Sequence, residues 1–256
     1  MTAYQTRYPD LEGQAVFVSG GATGIGAAIV EAFSVQGAHT YFVDIDVEAA
    51  EALMQRLADE TGNAPSFHRC DVTDTAELKS AINRAADATG SLCALVNNAA
   101  HDQRFVAEEV TEEDWEAIVA INLKHQFFAA QAAYGIMSEN GGGSIINFGS
   151  IAPTQGVRNL AVYSSCKAAA FGLTRSLARD FGEAGVRVNS VVPGAILTPR
   201  QLREWIDEET KSDIIARQCL KRPMQADDVA EMVLFLASNA SRGCTGQEFR
   251  VDGGNI

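Results

Sequence analysis

Short strand-like runs alternate along this chain with longer stretches whose apolar positions recur every three or four residues. The short runs fall at 15–19 (AVFVS), 40–43, 66–70, 92–96, 144–148, 186–192 and 247–251. Their length, and the lack of regular polar alternation in most of them, predict strands buried on both faces. Helical periodicity falls at 27–36, 47–60, 76–88, 111–134, 161–182 and 227–237. Gly37 closes the first of these helices. Asp46 caps the second, and Thr111 with Asp114 makes a capping box at the fourth. No Pro/Ser-rich linker or shift in composition divides the chain, so residues 1–256 read as one domain. The alternation predicts an α/β, single-domain Rossmann fold: a doubly wound parallel sheet of about seven strands with helices on both faces. Residues 195–220 are polar, contain Trp205 and have only a weak helical pattern, which suits a substrate lid.

Within this alternation the first strand–helix junction carries chemistry. It reads Gly20-Gly21-Ala22-Thr23-Gly24-Ile25-Gly26. Glycines at such a junction allow a tight turn and let the backbone approach a pyrophosphate at the helix N-terminus. Asp44 stands at the end of the second strand, about 20 residues on, as a ribose-binding acid should. A carboxylate there accepts from a ribose 2′-hydroxyl and repels a 2′-phosphate, so the pattern points to NAD.

A second set of polar residues follows the fifth strand. Ser150 comes directly after it, and Tyr163 and Lys167 lie four apart in the next helix. Four residues place the phenol and the ammonium on one face. The ammonium favours the phenolate, and lowering a tyrosine from near ~10 to about 7 takes roughly 4 kcal/mol. Such a tyrosine could take a proton from an alcohol at neutral pH. The spacing alone is common on helix surfaces; the neighbouring dinucleotide pattern gives it weight.

Composition narrows the partners. Hydrophobic residues make up 46% and charged residues 21%, ample for a sizeable core. A net charge of −13 repels phosphate backbones, which argues against nucleic acid. Cys70, Cys93, Cys166, Cys219 and Cys244 form no C-x-x-C pair, which fits a reducing cytoplasm. His39, His68, His101 and His125 have no ligating spacing, so no metal site is expected. The N-terminal stretch lacks a signal-peptide pattern, and no apolar run is long enough to span a membrane.

Ser19-Gly20-x-x-x-Gly24-x-Gly26, Asp71-Val72, Asn97-Asn98-Ala99, Asn122, Ser150, Tyr163-x-x-x-Lys167 and Pro193-Gly194 occur in this order. In these motifs and their spacing the chain resembles the short-chain dehydrogenases/reductases over essentially its whole length. The resemblance implies Tyr163 as general acid/base, Lys167 as its partner and holder of the nicotinamide ribose, Ser150 on the substrate oxygen, and Asn122 holding a water in the proton relay. The implied NAD site comprises Gly20, Thr23, Gly24, Ile25, Gly26, Asp44, Asp71, Val72, Asn98, Ala99, Tyr163, Lys167, Pro193, Ile196 and Thr198. Ser19 replaces the usual threonine of the first motif but keeps a hydroxyl. Ala100 stands where glycine commonly ends the N-N-A-G segment.

Within the family the segments NNAAHDQR (97–104), INFGSI (146–151), VVPGAILTPRQ (191–201) with Trp205, and RQCLK (217–221) resemble bacterial aldose 1-dehydrogenases. That likeness implies oxidation of a sugar at its anomeric carbon to a lactone. Ser150, Tyr163, His101, Asn159 and Arg200 are then the expected substrate contacts, with Asp102, Gln155 and Gln201 at the pocket edge. A sugar needs such polar partners, because buried unpaired hydroxyls are costly. Another secondary alcohol, such as a 3-hydroxyacyl thioester, is the alternative substrate, with Arg200, Arg203 and Lys211 near enough to form a basic patch. A non-catalytic NAD-binding regulator is the alternative of another class. The resemblance also implies a homotetramer paired through helices 111–134 and 161–182 and the C-terminal segment, with the cysteine usage pointing to a cytoplasmic location.

Overall fold

The computed structural model describes residues 6–87 and 89–255. Residues 1–5 of the N-terminal stretch, Ala88 at the end of the third expected helix, and Ile256 lie outside them. Seven strands form one sheet: β1 Ala15–Ser19, β2 His39–Asp44, β3 Ser66–Arg69, β4 Ala94–Asn97, β5 Gly143–Phe148, β6 Val186–Pro193 and β7 Glu248–Val251. Their spatial order is β3-β2-β1-β4-β5-β6-β7, and every pairing is parallel. The order reverses between β1 and β4, which opens a crevice at the carboxyl ends of the strands.

Helices cover both faces. Val16 and Val18 point into a core shared with α1 (Gly24–Val35), α2 (Val47–Thr61) and α10 (Ala226–Ala237). Ala15 and Phe17 point the other way, toward α3 (Thr75–Asp87), α5 (His125–Glu139) and α7 (Ala161–Phe181). Successive strand residues face opposite sides, so burial on both sides explains the near-continuous apolar runs. All five residues of β1 are buried.

Three helical features depart from the pattern. The expected helix 111–134 is two: α4 (Glu112–Val119), capped by the Thr111–Asp114 box, and α5, joined through one π turn at Ala120–Lys124. An amide is poorly suited to a helix interior, and the helix widens where Asn122 sits. The lid region 195–220 holds two short helices, α8 (Pro199–Glu204) and α9 (Glu208–Arg217). A four-residue helix, α6 (Ala152–Gln155), follows β5, where the sequence had suggested none.

Polar side chains also lock the sheet. Asn97 on β4 and Asn147 on β5 are register partners. Asn97 Nδ2 donates to Asn147 Oδ1 at 2.9 Å, and Asn147 Nδ2 donates to Thr174 Oγ1 on α7 at 3.0 Å. All three residues are fully buried.

Candidate active site

The crevice is a cleft of about 980 Å³. Its first wall is the β1–α1 turn. Gly20 and Gly24 adopt φ of +66° and +56°, which glycine takes without strain. A Cβ on Gly26 would lie 1.8 Å from the Gly20 carbonyl oxygen, so helix and turn meet at a distance only glycine permits. Asn98 braces the turn, its Nδ2 donating to the carbonyls of Ser19 at 3.1 Å and Gly20 at 2.8 Å. Ser19 Oγ accepts from Ala99 N at 3.1 Å, so the serine hydroxyl ties β1 to the segment after β4. Thr23 precedes α1 but its side chain caps no amide. The first-turn N–H groups therefore receive no side-chain acceptor from their cap and remain suited to an anionic ligand.

Asp44 closes this wall at the end of β2. Its Oδ2 accepts from Ala22 N at 2.9 Å, and its Oδ1 accepts from Ile45 N at 2.8 Å and Asp46 N at 3.1 Å. Three backbone donors hold the carboxylate still and leave it acceptor capacity. Asp71, Val72, Ala99, Pro193, Ile196 and Thr198 line the same cleft, as the sequence implied. A glycine cradle, uncapped helix amides and a fixed carboxylate at the second strand together fit a dinucleotide.

The opposite wall brings Ser150, Tyr163 and Lys167 together. Ser150 stands two residues beyond β5. Its Oγ accepts from Ala152 N at 3.1 Å, which starts α6. Tyr163 and Lys167 lie on the first two turns of α7, with Lys167 Nζ 5.6 Å from the centre of the Tyr163 ring. Lys167 is 3% exposed and donates to the Phe148 carbonyl at 3.0 Å. Burial pulls its pKa down to about 8. Burial, with the nearby Asp102 carboxylate, pushes the Tyr163 phenol up to about 12, while a hydrogen bond with Ser150 and the charge of Arg200 pull the other way. Desolvation is the largest of these influences, so in the protein alone the phenol is held above its ordinary value rather than below it. His125, fully buried behind this group, is held neutral; desolvation and then the Lys167 charge bring its pKa down to about 3.

Two expected residues lie elsewhere. Asn159 is exposed, sits in the left-handed region at φ +62°, and does not line the cleft. Its carbonyl accepts from Phe105 N at 2.9 Å, a turn contact rather than a pocket contact. Asn122 is wholly buried beneath the cleft. Its Oδ1 accepts from His101 N at 3.1 Å, and its Nδ2 donates to the carbonyls of His101 and Ile118, both at 3.0 Å. Both polar atoms of that side chain are engaged, two of its bonds on the His101 backbone and one on the Ile118 carbonyl.

The mouth of the cleft is polar. His101, Asp102, Gln155, Arg200 and Gln201 all line it. Asp102 receives Arg200 Nη2 on Oδ1 and Gln201 Nε2 on Oδ2, both at 2.8 Å, and so joins the loop after β4 to α8. Arg104 stacks 4.3 Å over the Trp205 ring beside this bridge. Ile118, Val157 and Leu160 supply apolar surface that no motif had marked. For Val157 and Leu160 the only signal was their position between Ser150 and Tyr163. Among the described residues no cluster of metal-ligating side chains occurs, and no helix is long and apolar enough to cross a membrane.

Comparison with known proteins agrees with this geometry. A family profile described as enoyl-(acyl carrier protein) reductase matches residues 20–255. A protein described as "Probable galactose dehydrogenase", from Rhizobium meliloti, is 45% identical over 254 residues, 99% of each chain. A D-xylose 1-dehydrogenase from Caulobacter vibrioides is 40% identical, covering 96% of this chain and 97% of the other. The crystal structure of a blue fluorescent protein from a metagenomic library, in complex with NADPH, superposes with a TM-score of 0.87 at 35% identity, over 96% of this chain and 99% of the other.

Proposed function

We infer the function from one premise: the chain belongs to the short-chain dehydrogenase/reductase family and is an oxidoreductase acting on CH–OH groups with a nicotinamide cofactor. On that premise we propose that it oxidises an aldose at the anomeric carbon to a lactone, with NAD as acceptor. The observation that carries this reading is one cleft. It holds the glycine turn and Asp44 on one side, Ser150, Tyr163 and Lys167 on the other, and the polar group His101, Asp102, Arg200 and Gln201 at its mouth. The galactose and xylose dehydrogenase relatives point the same way.

In this mechanism Ser150 and Tyr163 hold the anomeric hydroxyl between them, and Tyr163 takes its proton. A bound oxidised nicotinamide would supply the hydride acceptor and a positive charge to this site. Lys167 would hold the nicotinamide ribose, and its ammonium opposes the desolvation that raises the Tyr163 pKa. The proton then leaves through Lys167 toward a water at the Asn122 carbonyl. His101 and Arg200 meet the remaining hydroxyls. Orientation does most of the rest.

NAD is preferred over NADP in this reading because three backbone amides already fix the Asp44 carboxylate where a 2′-phosphate would approach. Asp44→Ala should raise the NADP-to-NAD ratio of kcat/KM by about tenfold or more. A wild-type preference for NADP would sink this assignment.

The thioester alternative has lost support. Arg200 pairs with Asp102 and Glu204, Arg203 with Glu204, and Lys211 with Glu208, so the would-be basic patch is already matched by carboxylates. The family expectation of a homotetramer, and the cytoplasmic location read from the cysteines, belong to the same reading. The exposed Trp115 on α4 and Phe127 on α5 support helix pairing between copies, and light scattering tests it. The decisive experiment is a panel of aldoses, other secondary alcohols and 3-hydroxyacyl thioesters, each with NAD and NADP, following reduced cofactor by absorbance. Turnover of thioesters but not sugars would overturn the sugar reading.

A further inference from the structure

The hydrogen bonds around Lys167 lead to a residue that no motif marks. Gln126 lies in the first turn of α5, directly after the π turn, and is fully buried. Its Nε2 donates to the Asn122 carbonyl at 2.9 Å and reaches the Phe148 carbonyl at 3.4 Å. The Phe148 carbonyl is the acceptor on which Lys167 Nζ rests, at 3.0 Å. One amide nitrogen thus spans two backbone oxygens, one beside the catalytic lysine and one at the relay position. The backbone of Gln126 is tied down as well, its carbonyl accepting from Asn97 Nδ2 at 3.3 Å.

The orientation of this amide follows from its partners. Reversing it would turn the oxygen toward two carbonyl oxygens and lose both contacts. As it stands, Oε1 is buried and accepts from no described residue. Burying an acceptor without a donor is costly, and such atoms are commonly served by an internal water. The Asn122 side chain cannot provide that service, because both ends of its amide are spent on His101 and Ile118. Among polar side chains contacting the Asn122 carbonyl and the Lys167 anchor together, Gln126 combines a fixed donor with a spare acceptor.

We propose that Gln126 is a positioning residue of the proton path from Tyr163 through Lys167, holding the Asn122 and Phe148 carbonyls in place with Nε2 and receiving the relay water on Oε1. The proposal rests on the roles given above to Tyr163 and Lys167. Gln126 gains and loses no proton. The proton Tyr163 takes from the substrate passes to Lys167's hydrogen-bond chain and out through the water.

Gln126→Met keeps the volume and removes the amide. Gln126→Glu keeps the shape but can donate only while protonated. Both are measured for kcat, KM, the pH profile of kcat, NADH affinity by fluorescence titration, and thermal midpoint. For Gln126→Met the expected result is a kcat lower by about tenfold, with KM and NADH affinity within about twofold of wild type. The acid limb of its kcat profile should also move by about half a unit or more. Gln126→Glu should lose progressively more kcat relative to wild type as pH rises. A merely structural role would lower the thermal midpoint and leave kcat per folded site and the pH profile unchanged, and that result overturns the proposal. Should Gln126→Met fail to fold, the pH profile of Gln126→Glu decides alone. Tyr163→Phe, run alongside, separates the layers: if it stays active, the underlying site reading fails; if it is dead while both Gln126 variants match wild type, only the Gln126 proposal falls.

Discussion

Tyr163 and Lys167 line a cleft in which desolvation opposes ionisation of both, and this sets what single substitutions should do. Tyr163→Phe removes the proton acceptor and little volume. NAD reduction should fall by about 10² to 10⁴, while NADH affinity by fluorescence titration stays within about twofold. His125 is a sharper test of the electrostatics, because it lies outside the reacting atoms. Its folded pKa, near 3, lies well below its ordinary value of 6.5. Between those values the unfolded chain binds a proton that the folded chain refuses, so stability falls as pH drops through that window and is unaffected above it. The slope is about 1.4 kcal/mol per pH unit for one proton. His125→Phe should flatten urea-derived stability between pH 6.5 and 4 relative to wild type; an unchanged slope would show that the imidazole does not titrate this way.

Among the elements, α8 and the loop after β4 matter most for substrate. They meet through Asp102, which holds Arg200 and Gln201 at once. Asp102→Ala should therefore free the first turn of α8. The expected outcome is a sugar KM raised about tenfold with NAD affinity unchanged, and faster amide exchange confined to residues 199–204. Global stability should change by less than about 1 kcal/mol, since the pair is partly exposed. The strands, the glycine turn and α7 were legible in the sequence because each has a local cause: apolar runs, positive-φ turns, helical spacing. The split of the 111–134 segment was not. Its period continues through the π turn, where Asn122, an amide poorly suited to a helix interior, is tied to the His101 backbone and the Ile118 carbonyl. Asn159 misled for a related reason. Lying between Ser150 and Tyr163 brings a residue near the cleft, but its left-handed backbone turns it to solvent. Asp102 was legible only as a polar residue at the pocket edge; its grip on α8 joins residues 98 and 99 positions apart.

At the scale of the whole molecule, the charge of −13 acts on stability rather than on fold. Among the described residues the lysine and arginine ion pairs shown involve Glu31, Glu60, Asp102, Glu204, Glu208 and Asp228, a minority of the 33 acidic residues, so the compact state carries net self-repulsion. Raising ionic strength from ~0.01 M to ~0.15 M shortens the screening length from about 30 to about 8 Å. The thermal midpoint should rise by a few degrees over that range in chloride, and a flat response would mean that local pairing already cancels the repulsion.

The Asn97–Asn147–Thr174 ladder has a consequence for how the chain assembles. Two parallel strands about 50 residues apart in sequence must find one alignment among several that would satisfy their apolar side chains equally well. A slip by one position would strand both amides in hydrocarbon, at about 1–3 kcal/mol for each unmade partner. The ladder thus acts as a proofreading device. It adds little to the depth of the native well but raises the floor of its nearest competitors. Because Asn98 follows Asn97 directly and Ser150 comes three residues after Asn147, an error there would misplace both walls of the cleft together. Correct chemistry is in this sense inherited from correct alignment of two strands.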